Sequence, residues 1–97
     1  MIRLNSVSRI EAVCDFAANT VDPTCVTSWS DLSTGQYLGG SLAQNFTGTT
    51  AIVIVTSPAT GAVRDVDFIH ISNVDQITQA VTVRFYNGSG TYNLVKV

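Results

Sequence analysis

Hydrolytic, transfer and metal chemistry in proteins falls to histidine, cysteine, activated serine and clustered carboxylates, and this sequence is sparing with all of them. Its one histidine, His70, lies between Ile69 and Ile71, in a stretch that reads as a strand rather than a loop at the mouth of a cleft. A Ser-His-Asp relay needs a histidine held by a carboxylate and facing an activated serine, and no Gly-x-Ser-x-Gly elbow is present to offer that serine. His70 therefore reads as a structural or interface residue. Glu11 is the sole glutamate. A glycosidase pair would have to combine it with an aspartate such as Asp65 or Asp67, and no spacing recommends that. Asp65-x-Asp67 puts two carboxylates on one face of a strand, where like charges repel unless a cation lies between them. Calcium would require further oxygen ligands that the flanking sequence lacks, so pairing with Arg64 or Arg84 is the plainer expectation.

Cys14 and Cys25 have neither metal-ligand spacing nor accompanying histidines. They read as two small buried hydrophobes. The alternative is a strained cross-strand bridge, should Asn19-Thr20 be the centre of a hairpin that sets them opposite each other. Asn87-Gly88-Ser89-Gly90 is a turn and not a phosphate cradle, because no helix follows it. Asn45-Phe46-Thr47 and Asn87-Gly88-Ser89 match the glycosylation pattern, but the opening Met1-Ile2-Arg3-Leu4-Asn5 lacks the features of a secretory signal. The chain is expected to be made in a cytoplasm. No catalytic site, cofactor or metal is expected.

These residues sit in a pattern of period two. Ile10, Ala12, Cys14 and Phe16 alternate with Arg9, Glu11 and Asp15, as in a half-buried strand. A second strand, Cys25 to Ser30, follows Asp22-Pro23 and should pair Trp29 near Ile10. Residues 31–49 contain Ser33-Thr34-Gly35, Gly39-Gly40 and Gly48, which predict a long surface loop. Its apolar Tyr37, Leu38, Leu42 and Phe46 would either touch a neighbouring subunit or fold back to cap the core. Thr50 to Thr56 reads as a strand covered on both faces. Ser57-Pro58-Ala59-Thr60-Gly61 ends it.

Between Val63 and Asn73 the apolar phase changes, with Val66 and Phe68 on one face and Ile69 and Ile71 on the other. A β-bulge near Phe68, or a strand changing sheets, would account for this. Val81, Val83 and Phe85 alternate cleanly with Thr82 and Arg84. The Asn87–Gly90 turn then predicts a hairpin into a last strand, Tyr92 to Val97. The expectation is one all-β domain over residues 1–97, an antiparallel β-sandwich or small barrel of six or seven strands with little or no helix.

A chain of 97 residues buries only about 60 to 65% of its unfolded surface. With 45% hydrophobic and 12% charged residues, it has too few charges to keep all of that surface wetted, so a partner or a homo-oligomer should cover part of it. The formal net charge of −2, with no basic run, argues against nucleic-acid binding. The longest apolar run, Ala51 to Val55, is far too short to cross a bilayer.

Two stretches resemble a known group. One is Met1 to Ser8 leading to Trp29-Ser30-Asp31. The other runs from Thr56-Ser57-Pro58-Ala59 through Arg64-Asp65-Val66-Asp67-Phe68-Ile69-His70-Ile71-Ser72-Asn73 and Val81-Thr82-Val83 to Tyr92-Asn93-Leu94-Val95-Lys96. Together they are similar to small β-sandwich virion proteins of tailed bacteriophages, with their "S-P-A … R-x-V-x-x-I-x-I-x-N … V-T-V … Y-x-L-x-K" pattern. The resemblance implies a location in the virion and a capsid cement (decoration) protein. Such a protein would bridge capsomers, as a trimer at local three-fold positions, against the major capsid protein or other virion proteins. A neck or tail-fibre adaptor is the alternative. A carbohydrate-binding module using Trp29, Tyr37, Tyr86 or Tyr92 is a third reading. The expected docking residues are Ile2, Leu4, Tyr37, Leu38, Leu42, Phe46, Tyr92, Leu94 and Val97.

Overall fold

A computed structural model describes residues 2–96, so the docking role expected of Val97 lies outside the described residues. Eight strands and no helix are present among them: β1 (Ile2–Leu4), β2 (Arg9–Cys14), β3 (Thr24–Ser33), β4 (Gln36–Asn45), β5 (Ile52–Val55), β6 (Val63–Ser72), β7 (Val81–Tyr86) and β8 (Thr91–Lys96). They form two antiparallel four-stranded sheets, in the orders β1-β6-β3-β4 and β5-β2-β7-β8. The fold is a small β-sandwich.

Alternation builds its core. Ile10, Ala12 and Cys14 from β2 and Val81 and Val83 from β7 face Leu4, Cys25 and Phe46, with Ile54 and Val55 closing one side. Ile54 and Val55 are consecutive and both fully buried, so β5 is covered on both faces, as its unbroken apolar run requires. The phase change in β6 is a bulge. Ser28 pairs with Phe68 and Trp29 with Val66, which leaves Asp67 as the extra residue and puts Val66 on the same inner face as Ile69 and Ile71.

Three expectations are corrected. Residues 31–49 are not a long loop: β3 runs on to Ser33, a two-residue turn at Thr34-Gly35 reverses the chain, and β4 returns to Asn45 in unbroken register. Gly35 supplies the positive φ of 73° that the tight turn needs. Gly39-Gly40 breaks nothing, because Gly40 lies under Trp29, where a Cβ would come within 2.6 Å of the indole nitrogen. Trp29 itself pairs with Val66 and Gly40 rather than with a residue near Ile10, which lies in the other sheet. Finally, Asn19-Thr20 is not a hairpin centre. The segment between β2 and β3 carries the chain from one sheet to the other, so Cys14 and Cys25 are buried free thiols on different sheets.

Candidate docking surface

A sandwich of two open sheets has four outer strands, and their exposed edges decide what the molecule can join. Three of the four are guarded. β1 has three residues. β5 has four and carries a bulge at Ile54, where the register with β2 shifts. β8 is bulged at Leu94, and its Lys96 makes an ion pair with Asp15 at 2.8 Å. β4 has no such protection. Its ten residues, Gln36-Tyr37-Leu38-Gly39-Gly40-Ser41-Leu42-Ala43-Gln44-Asn45, include no charge and no proline, and they pair with β3 alone.

The expected docking residues divide accordingly. Tyr37 and Leu38 stand 69% and 61% exposed on β4, and Tyr92 and Leu94 are exposed on β8. Leu42 is half-buried on the inner face of β4 and Ile2 on that of β1. Leu4 and Phe46 are corrected: both are fully enclosed core residues, and neither can meet a partner. Phe46 follows directly on β4, and its amide donates to the Pro23 carbonyl at 2.8 Å, which turns its ring inward beneath the hairpin. Of the two alternatives for the apolar residues of 31–49, Phe46 takes the core-capping one, while Tyr37 and Leu38 are left free.

Sequence reasoning missed an apolar cleft of about 340 Å³ where the sheets part, lined by Ile2, Ile69, Ile71, Val83, Leu94 and Val95. It opens between β1–β6 of one sheet and β7–β8 of the other. The bulge at Leu94 explains how consecutive Leu94 and Val95 both line it. No periodicity could have shown this, because the cleft joins residues distant in sequence.

The polar groups are tied to one another. Arg3 Nε and Nη2 donate to the two Asp65 oxygens at 2.7 and 3.1 Å, and Ser30 donates to Asp67 at 2.6 Å. The expected partners of these aspartates, Arg64 and Arg84, lie elsewhere. Arg64 clamps Asp31 through two hydrogen bonds of 2.6 and 2.8 Å, and its guanidinium lies 4.5 Å above the Trp29 ring. Arg84 and Arg9 share Glu11. Hydrogen bonds from Arg3 and Arg64 hold the Asp65 and Asp31 carboxyls below their usual range. At one end of the sandwich, Asp75 accepts from the backbone amides of Asn19, Thr20 and Val21, and the bond from Asn19, with those from Thr20 and Gln76, holds its carboxyl below the usual range as well. Burial raises both thiols, Cys25 to about 11. His70 stacks on Phe68, with ring centroids 6.1 Å apart, and among the described residues no three His, Cys, Asp or Glu side chains converge on a metal position.

Two of the aromatics considered for sugar stacking have a face taken. The Arg64 guanidinium covers Trp29, and that of Arg9 sits 4.1 Å over Tyr86. Comparison with known proteins finds no matching family model, curated protein or solved structure.

Proposed function

We propose that this chain is a structural docking protein of a tailed-bacteriophage particle, a capsid cement protein that joins neighbouring capsomers through its strand edges and apolar cleft. One observation supports this reading above the others: of the large apolar side chains left exposed, Tyr37, Leu38, Tyr92, Leu94 and Val95 lie on the two longest outer strands, β4 with an unguarded edge of free backbone groups and β8 beside the apolar cleft. That combination suits strand addition, in which main-chain bonds give affinity and pockets for alternate side chains give selectivity. The cleft beside β8 is such a pocket. A specific contact of about 1,200 to 2,000 Å², repeated at many equivalent positions on a shell, resists internal pressure without any strong single bond.

The alternative within the virion, a neck or tail-fibre adaptor, uses the same surface at far fewer positions. A carbohydrate module is disfavoured by the guanidinium groups over Trp29 and Tyr86, and catalysis by the absence of any assembled acid, base and nucleophile in the groups described above. The test is occupancy of particles. Particles lacking the protein should be replenished by adding it back and should then survive heating or dilution better. A Leu94→Asp variant, which puts a charge into the cleft mouth, should remain folded and fail to rebind. Rebinding of that variant at wild-type strength would exclude the cleft from the contact.

A further inference from the structure

We infer that β4 is the seam of a homodimer, two copies of this chain joining antiparallel, edge to edge, about a two-fold axis at Ser41. The inference goes beyond the virion role and does not depend on it.

The backbone parity of β4 follows from its hairpin. The Thr34-Gly35 turn is closed by the Ser33–Gln36 pair, so even-numbered residues of β4 direct their N–H and C=O groups toward β3. The bond from the Phe46 amide to the Pro23 carbonyl continues the same series. The odd-numbered residues, Tyr37, Gly39, Ser41, Ala43 and Asn45, therefore direct theirs outward, where no strand meets them. A two-fold axis at Ser41 sets Ser41 opposite Ser41 of the second copy, Gly39 opposite Ala43, and Tyr37 opposite Asn45. All of these have outward-directed backbone groups, so the pairing satisfies every free donor and acceptor from 37 to 45. It yields about ten hydrogen bonds, the number a specific interface commonly carries.

The side chains agree with this register. On the inner face, Leu42 meets Gly40 of the second copy and Leu38 meets Gln44. On the outer face, Tyr37 meets Asn45, and Gly39 meets Ala43. Each large side chain is met by a small or uncharged one, and β4 brings no charge to the seam. Leu38, 61% exposed in the isolated chain, becomes covered. No other outer strand has the length, regularity and neutrality for such self-pairing, and an unguarded edge of this kind pairs with whatever matches it. The seam makes a two-fold assembly, in place of the trimer expected from the sequence, because a contact that matches itself closes after two copies.

The test measures the mass of the full chain in solution by sedimentation equilibrium. The expected result is twice the 10.3 kDa chain mass. Ser41→Pro removes a central donor and should halve that mass while leaving the far-ultraviolet circular dichroism unchanged. If that variant does not fold, Ala43→Lys sets a charge on the same edge and serves in its place. Ser41→Cys should give a covalent dimer on mild oxidation, because the new thiols face each other across the axis while Cys14 and Cys25 are buried. Asn93→Cys on the β8 edge should not. A monomeric or trimeric wild type, or a dimer that persists in both Ser41→Pro and Ala43→Lys, would overturn the inference.

Discussion

Trp29, Gly40 and Arg64 form one packed unit: the indole lies against the glycine, and the guanidinium covers the ring while it clamps Asp31. Gly40→Ala puts a methyl where the indole nitrogen stands, 2.6 Å from the new Cβ. The expected cost is about 1 to 3 kcal/mol, with a changed tryptophan emission, both readable in a fluorescence-monitored urea titration. The ionisable residues give stability two pH limits. Asp31, Asp65 and Asp75 are held below their usual pKa, so their contribution is complete above the unfolded value of 3.8 and is lost as pH falls through the folded values. Cys25 is shifted the other way, from 9.0 to about 11. Its contribution is complete below pH 9.0 and is lost as pH rises toward about 11. Melting temperature should therefore fall at both extremes, and Cys25→Ala should make the alkaline limb shallower, leaving the part due to Cys14, without changing the acid limb. At this scale the sequence was partly legible. Two buried thiols could be read from it, but the partners of Asp65 and Asp67 could not, because Arg3 and Ser30 reach them from strands far away in the chain.

Strands with clean alternation could be read directly, β7 throughout and β2 as far as Cys14, although Phe16, expected on the same inward face, lies beyond the strand and is exposed. In β6 the phase change was legible, and the structure resolves its two explanations in favour of the bulge, with Asp67 extra. The β3–β4 hairpin could not. Serine and glycine along residues 31–49 mimic a loop, and the reasons they tolerate a strand are non-local: Gly40 makes room for Trp29, and Gln44 donates to the Val53 carbonyl in the other sheet. The hairpin also separates two kinds of apolar residue that looked alike. Phe46→Ala should cost about 3 to 5 kcal/mol, as a fully buried aromatic does, whereas Tyr37→Ala should leave the melting temperature nearly unchanged. Thermal melts of the two variants side by side check this. An equal effect on both would mean that the hairpin does not bury Phe46 as described.

Over the whole molecule, the sandwich class follows from the number of short strands and turns, but its strand order does not, since β1 pairs with β6 and β5 with β2 across long stretches of chain. That order leaves β4 and β8 outermost and opens the apolar cleft between β1–β6 and β7–β8. Low charge, which in the sequence only implied a covered surface, here has specific locations. On the function proposed above, these edges attach the protein to a virus particle. Cryo-electron microscopy of purified particles, with the chain built into the map, tests it most directly. The expected result is on the order of hundreds of copies on the capsid shell, each with the β8 edge and its cleft against a capsomer, as symmetric repetition of one contact requires. Particles that carry no copy, or copies whose β4 and β8 edges both face solvent, would contradict it.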